Sequence, residues 1–184
     1  MRYAKIRQSD ISNGKGVRVS LFTQGCFHRC KGCFNPETWD FHGGKAWTED
    51  TNKKIIELLD KDYISGLSIL GGDPLCYYES DIYNKTSRDF LKELLIEVKT
   101  KFPNKDIWLW TGYNFEDIFA TDIAYDDSFT INTNELLKYI DVLIDGKFIE
   151  DKKIINGKYY GSSNQRIIDV QKSLKQKNIV LYEE

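Results

Sequence analysis

The chain has 184 residues, 41% hydrophobic and 14% aromatic, and a net charge of −2. That length suits one domain with a real core, and the interspersed charges contain no basic block that would hold nucleic acid or an anionic membrane. Apolar runs stop at about five residues against the roughly 20 of a membrane helix. The start, Met1-Arg2-Tyr3-Ala4-Lys5-Ile6-Arg7, lacks the apolar stretch of a secretory leader, so the expected location is the cytoplasm.

Residues 2–7 alternate apolar and polar and predict a short edge strand. Asn13-Gly14-Lys15-Gly16 is a turn. Val17 to Thr23 alternates with a β-branched bias, a strand that delivers the chain into Gln24-Gly25-Cys26. Thr38 to Trp47 reads as irregular. Thr48-Glu49-Asp50 starts a helix, with acidic residues in its first turn; Ile55, Ile56, Leu58 and Leu59 give it an apolar face to about Lys61. Gly66 to Leu70 is a second strand, ending in Gly71-Gly72-Asp73-Pro74. Residues 77–86 read as loop. Ser87 to Lys101 carries Phe90, Leu91, Leu94, Leu95 and Val98 at helical spacing, and Pro103-Asn104 stops it. Asp106 to Thr111 is a third strand, Asn114 to Ala120 a helical turn, and 121–133 an exposed loop insertion. Thr133 to Tyr139 is a short helix, Asp141 to Asp145 a fourth strand, and Asp151 to Tyr160 hairpin-like. Arg166 to Val170 is a fifth strand, and Asn178 to Tyr182 a last one.

The recurrence of strand, loop and helix predicts an α/β fold: an incomplete, open (βα) barrel with a mostly parallel sheet and helices on the outer face. The whole chain, 1–184, is expected to form a single domain. Loops at the C-terminal ends of parallel strands are where such sheets build sites.

Three of the four cysteines, Cys26, Cys30 and Cys33, fall in one such loop with C-x3-C-x2-C spacing. In a reducing compartment this reads as metal binding rather than disulfides. Three thiolates can wrap one inorganic cluster and leave one of its metals without a protein ligand; a cube held by four is suited to carrying electrons. Zinc would need a further ligand from His28, His42 or Cys76, and neither histidine completes a familiar second pair. A redox pair of Cys30 and Cys33 leaves Cys26 unexplained. Cys76, just past the glycine motif, is within reach of the site but reads rather as a small buried or incidental thiol.

Gly71-Gly72-Asp73-Pro74 alone is a turn after a strand. On the same sheet edge as the cysteines, its glycines let backbone approach a ligand, and Asp73 with the neighbouring carbonyls offers acceptors suited to an ammonium group. Trp108 and Trp110 alternate with Ile107 and Leu109, which predicts one core face and one face toward the site.

The Cys26-x3-Cys30-x2-Cys33 spacing resembles the signature of the radical S-adenosyl-L-methionine (SAM) superfamily. Gly71-Gly72-Asp73-Pro74 looks like that superfamily's glycine motif for the amino group of SAM. Five words occur in order: Cys30-Lys31-Gly32-Cys33-Phe34-Asn35, Gly71-Gly72-Asp73-Pro74-Leu75, Trp110-Thr111-Gly112-Tyr113, Asp145-Gly146-Lys147-Phe148 and Gly161-Ser162-Ser163-Asn164-Gln165. Together they resemble the activating proteins of anaerobic ribonucleoside-triphosphate reductases, which are glycyl-radical-enzyme activases, over about residues 3–170.

The resemblance implies a [4Fe-4S] cluster with Cys26, Cys30 and Cys33 as metal ligands and a fourth iron open to SAM. It implies SAM contacts at Gly32, Cys33, Phe34, Gly71, Gly72 and Asp73. The implied enzyme is an oxidoreductase: the reduced cluster passes one electron to SAM, and the 5′-deoxyadenosyl radical takes hydrogen from a glycine of the reductase. No catalytic residue is implied beyond the cluster and SAM, and His28 is expected beside the cluster or exposed rather than as a ligand. The implied partners are the large reductase chain, through its C-terminal glycine loop, and reduced flavodoxin or ferredoxin as electron donor, with no nucleic acid and no membrane. Gly32 stands where much of the superfamily has an aromatic residue, so the adenine must pack elsewhere, on Phe34 or a later strand. The alternatives are another small radical SAM enzyme, either an activase of a different glycyl radical enzyme or a 7-carboxy-7-deazaguanine synthase-like enzyme, and a non-catalytic zinc-binding module.

Overall fold

The computed structural model describes residues 1–76, 87–119, 123–124, 130–131, 134–155 and 157–183. Its elements in chain order are β1 (Arg2–Asp10), β2 (Arg18–Thr23), β3 (Lys45–Ala46), α1 (Glu49–Leu59), β4 (Gly66–Gly71), α2 (Ser87–Lys101) and β5 (Asp106–Trp110). There follow α3 (Phe115–Phe119), β6 (Ile123–Ala124), β7 (Thr130–Ile131), α4 (Asn134–Leu137), β8 (Val142–Asp145), β9 (Arg166–Asp169) and α5 (Val170–Gln176).

Seven strands make one sheet in the order β3-β1-β2-β4-β5-β8-β9. It is parallel only across its middle, from β2 through β4 and β5 to β8. The edges run antiparallel: β1 against β2 and β3, and β9 against β8. The expectation of a mostly parallel sheet is corrected there for a simple reason. The seven residues between β1 and β2 are too few for a crossover, and no α-helix lies among the described residues between β8 and β9.

Alternation along the strands divides the sheet into two faces. Val19, Leu21, Leu67, Ile69, Ile107, Leu109 and Leu143 join Ile55 and Leu59 of α1, Leu91, Leu94, Leu95 and Val98 of α2, Leu136 of α4 and Val170 of α5 in one buried cluster. The helices thus cover this face. Thr48 caps α1 with a reciprocal bond to Thr51, where the sequence placed the helix start.

The other face carries Trp108, Val142 and Ile144, packed by Trp110, Tyr159, Tyr160 and Tyr182. Both tryptophans therefore lie on one face, with Ile107 and Leu109 toward the helices. Arg18 is fully buried on the same side as Trp108 and uses all five of its N–H donors. Nε donates to Ser68 Oγ at 2.7 Å, Nη1 to Asp106 Oδ1 at 2.6 Å and the Lys15 carbonyl, and Nη2 to the Leu67 and Asp106 carbonyls. Burial lowers its pKa, and Asp106 opposes that shift. This knot ties together the starting ends of β2, β4 and β5.

Other expectations shift by small, explicable amounts. Val170 does not close a strand; Asp169 caps α5 by accepting from Lys172 N at 3.0 Å, and Lys177 ends the helix with φ +53°. The predicted last strand reduces to a single bridge, Ile168 to Leu181, beside β9. Within the predicted loop 121–133, the described residues pair as β6 with β7; the rest of it, and the predicted loop 77–86, lie outside the described residues. Among the described residues no helix is long and apolar enough to cross a membrane.

Candidate active site

The C-terminal ends of β2, β4, β5 and β8 meet at one edge of the sheet. Thr23 of β2 is the register partner of Gly71 of β4. Past the strands the pairing continues irregularly: Gly72 N donates to the Thr23 carbonyl at 2.9 Å, Asp73 N to the Gly25 carbonyl at 2.8 Å, and Gly146 N to the Tyr113 carbonyl at 3.0 Å. The cysteine loop and the glycine motif are therefore stitched together by main chain.

At this edge opens a cleft of about 570 Å3. Cys26, Cys30, Cys33, Phe34, Gly71, Gly72 and Asp73 all line it, so the structure brings together every predicted site residue but one. Gly32 is exposed: with φ +72° it turns toward Glu150, whose Oε1 lies 2.8 Å from where a β-carbon would stand. All four cysteines are free thiols.

The glycine motif serves the fold as well as the cleft. A β-carbon on Gly72 would stand 2.3 Å from the Gly25 carbonyl oxygen and 2.9 Å from that of Thr38. The missing side chain thus makes room for the cysteine loop itself. Asp73 is 2% exposed and its carboxylate is already engaged. Oδ2 accepts from Thr111 Oγ1 at 2.9 Å and Gly112 N at 2.8 Å and meets His28 Nε2 at 3.0 Å, while Oδ1 accepts from Leu75 N at 2.9 Å.

The thiols feel one another. A hydrogen bond from Cys76 holds the Cys26 thiol down to about 7 against the opposing effect of burial, and Cys76 is itself pushed up by that bond and by burial. Cys76 also contacts the Tyr113 hydroxyl at 3.4 Å. Cys76, expected as a small buried or incidental thiol within reach of the site, is 4% exposed and touches Cys26, a contact with a predicted ligand that the sequence did not specify. Burial pushes Cys30 up, and the neighbouring Cys26 and Cys33 add to the shift. Three thiolates gathered here repel until positive charge joins them.

The donor set fits a cluster better than a single ion. Among the described residues, one group of His, Cys or acidic side chains has its ligand atoms all within 4.8 Å of one another: His28, Asp73 and Cys76. Those three are tied up in the hydrogen bonds just described. Cys26, Cys30 and Cys33 do not form such a group, so their sulfurs do not all lie within 4.8 Å of one another, whereas a zinc ion at about 2.3 Å from each would draw them to about 3.8 Å apart. His42, another of the ligands a zinc reading could draw on, is 95% exposed beside Asp40.

Two further motifs brace the mouth. Gln165 Oε1 accepts from Gly161 N at 2.9 Å and Ser162 N at 3.2 Å, while its Nε2 donates to the Gly146 carbonyl at 2.9 Å. Asn164 Nδ2 donates to the Lys147 carbonyl at 2.8 Å. Asp145, 1% exposed, accepts from Phe115 N at 2.8 Å and is paired with Arg166, which also forks onto Glu116. Thus the Asp145–Phe148 and Gly161–Gln165 words, separate in sequence, form one bracket. Phe34, 60% exposed as a residue, leans on it: its ring centre lies 5.2 Å from that of Phe148, with Lys153 Nζ 5.3 Å away.

The cleft is ringed by three spaced cysteines at the ends of parallel strands, and the family match makes the chain an iron–sulfur protein. The family described as "4Fe-4S single cluster domain" matches residues 12–168. The chain is 42% identical over 168 residues to the anaerobic ribonucleoside-triphosphate reductase-activating protein of Enterobacteria phage T4, covering 91% of this chain and 93% of that one. The protein of the same name from Vibrio cholerae serotype O1 is 40% identical over 169 residues, 91% of this chain and 97% of that one. The one from Escherichia coli K12 is 36% identical over 167, 90% and 96%. The chain belongs to the family of anaerobic ribonucleoside-triphosphate reductase-activating proteins.

Proposed function

We propose that this chain is an iron–sulfur radical SAM activase that reductively cleaves SAM and generates a glycyl radical on an anaerobic ribonucleoside-triphosphate reductase. The observation that carries the reading is the meeting of three cysteines with the Gly71-Gly72 loop around one cleft, in a chain of this family. Its volume falls within the roughly 300–1,000 Å3 of small-molecule sites. Cys26, Cys30 and Cys33 would hold three irons of a [4Fe-4S] cluster and leave the fourth to SAM. When bound, the cluster and SAM supply the electron and the carbon radical, and the redox chemistry is theirs.

The chain's own residues bind, orient and exclude water. Gly71 and Gly72 offer backbone to SAM, with Cys33 and Phe34 opposite them. Asp73 contributes by fixing the loops, because its acceptors are taken. Trp110, held through Nε1 to the Tyr159 carbonyl at 2.7 Å, gives the cleft an apolar wall that would shelter a reactive radical. No side chain is required as a general base. The sheet with helices on one face suits an incomplete open barrel of the radical SAM type, formed by one domain over 1–184. The reductase glycine loop would enter at the mouth, reduced flavodoxin or ferredoxin would donate the electron, and the protein would work in the cytoplasm.

The test is anaerobic reconstitution, reduction with dithionite, and SAM cleavage with and without the reductase, followed by electron paramagnetic resonance. The expected result is 5′-deoxyadenosine with a glycyl doublet on the reductase. Cleavage without the doublet would overturn the partner, and zinc in place of iron would overturn the whole reading.

A further inference from the structure

We propose that His28 is a positioning residue whose ring anchors the middle of the cysteine loop to the ends of β4 and β5 and so sets where the three sulfurs stand against the glycine motif. This rests on the reading of the cleft as a cluster and SAM site. His28 lies two residues from Cys26 and two from Cys30, at the crown of a loop with little regular bonding of its own. Within residues 26–33, the main-chain bonds are Cys26 N to the Trp39 carbonyl and Cys33 N to the Cys30 carbonyl. Such a segment needs side-chain anchors to hold one shape.

At the surface Phe27 packs on Phe41 at 4.5 Å and Lys31 pairs with Glu150 at 3.0 Å, but Lys31 is 89% exposed and that pair is screened by water and salt. His28 is a buried anchor, beside the Cys26–Cys76 hydrogen bond at the start of the loop. Its side chain is 5% exposed, and Nε2 lies 3.0 Å from Asp73 Oδ2. A carboxylate oxygen that already accepts from Thr111 and Gly112 offers no proton, so the fitting tautomer carries its hydrogen on Nε2 and donates. The ring meets Tyr113 edge-on at 4.5 Å. It also lies against Gly112: a β-carbon there would stand 2.4 Å from His28 Cδ2.

Arg29, the next residue, sits at φ +45°, in the left-handed region that side-chain-bearing residues seldom occupy. The chain swings there from a buried His28 back toward the half-buried Cys30. One oxygen of Asp73 thereby joins the cysteine loop, through His28, to the β5 end, through Thr111 and Gly112, while Asp73 itself belongs to the β4 end. A shift of His28 moves the sulfurs relative to both.

The experiment compares wild type, His28→Leu, His28→Gln and Leu94→Ala after anaerobic reconstitution. It reads iron and sulfide content, the paramagnetic spectrum of the reduced cluster as SAM is added, and Tm. Glutamine keeps an N–H at the end of a side chain of similar reach. Leu94, buried in α2 behind the sheet, supplies a loss of stability remote from the cleft. His28→Leu is expected to weaken SAM binding about 10-fold or more, since a group that orients a metal's ligands carries about 10- to 100-fold of the site's metal affinity or activity. His28→Gln is expected to recover most of it, and Leu94→Ala to lower Tm with an unchanged spectrum. A loaded His28→Leu with wild-type spectrum and SAM affinity overturns this inference alone. So does Leu94→Ala changing the spectrum as much as His28→Leu, since the role would then be general stability. If the leucine variant does not fold, His28→Gln decides: a wild-type SAM response upholds the anchor and a lost one overturns it. A wild type that takes up no iron overturns the proposed function, and this inference with it.

Discussion

Gly72→Ala is the sharpest test of how the cysteine loop is seated. The added carbon would stand 2.3 Å from the Gly25 carbonyl oxygen, 2.9 Å from the Gly25 carbonyl carbon and 2.9 Å from the Thr38 carbonyl oxygen. All three are backbone atoms, so no flexible side chain can swing away. Ordinary contact begins near 3.4 Å, and the cysteine loop must therefore retreat by about 1 Å. The Gly25 oxygen that is pushed is also the one accepting from Asp73 N at 2.8 Å, so that bond weakens too. Overpacking of this kind costs about 1–3 kcal/mol, and at this chain length each kcal/mol lowers Tm by about 3 °C. A displacement of about 1 Å at a reacting centre costs about 100-fold in rate. Thermal unfolding of the metal-free protein and SAM cleavage by the loaded protein are to be measured side by side, and both are expected to fall. A variant with wild-type Tm and wild-type cleavage would refute the seating of the loop against Gly72. Loss of cleavage with an unchanged Tm would show that the β-carbon enters ligand space instead.

Cys30→Ala is expected to abolish SAM cleavage and lower iron content, since two thiolates hold a cube poorly; turnover in that variant would remove Cys30 from the ligand set. Arg18→Leu leaves Ser68 and the Lys15, Leu67 and Asp106 carbonyls without their donor. It is expected to cost about 1–3 kcal/mol or more in urea unfolding, the penalty of buried acceptors left unsatisfied, and a loss below about 1 kcal/mol would deny the knot its role. In the metal-free protein, ultraviolet thiolate absorbance is expected to show one thiol titrating near 7, that of Cys26, and to lose this step in Cys76→Ala. The folded value lies below the ordinary thiol value of 9.0, so this group contributes stability present above the unfolded value and lost as pH falls through about 7. A metal-free protein whose stability rose as pH fell through 7 would contradict that assignment.

Much of the fold was legible because it is written in local periods. Ser87 to Lys101 forms one helix with the bounds that its apolar spacing gave, and the central strands fall within a residue or so of their alternating runs. The misses share a cause. Val170 reads as strand from its neighbours Ile167 and Ile168, yet the Asp169 cap turns it into a helix start, and a cap is a single residue against a pattern of several. The antiparallel edges could not be read because strand direction depends on where a connection travels, which no local pattern records.

The sequence by itself determined which residues gather. Cys26, Cys30, Cys33, Phe34, Gly71, Gly72 and Asp73 follow the ends of strands, and parallel strands present those ends at one edge. What each does there was decided only by the tertiary structure. Gly72 gives way to the cysteine loop, Asp73 spends its acceptors on three segments of chain, Gly32 turns outward, and His28 turns in. These roles depend on which atoms from distant segments arrive within 3 Å, and that distance exists only once β2, β4 and β5 are laid side by side.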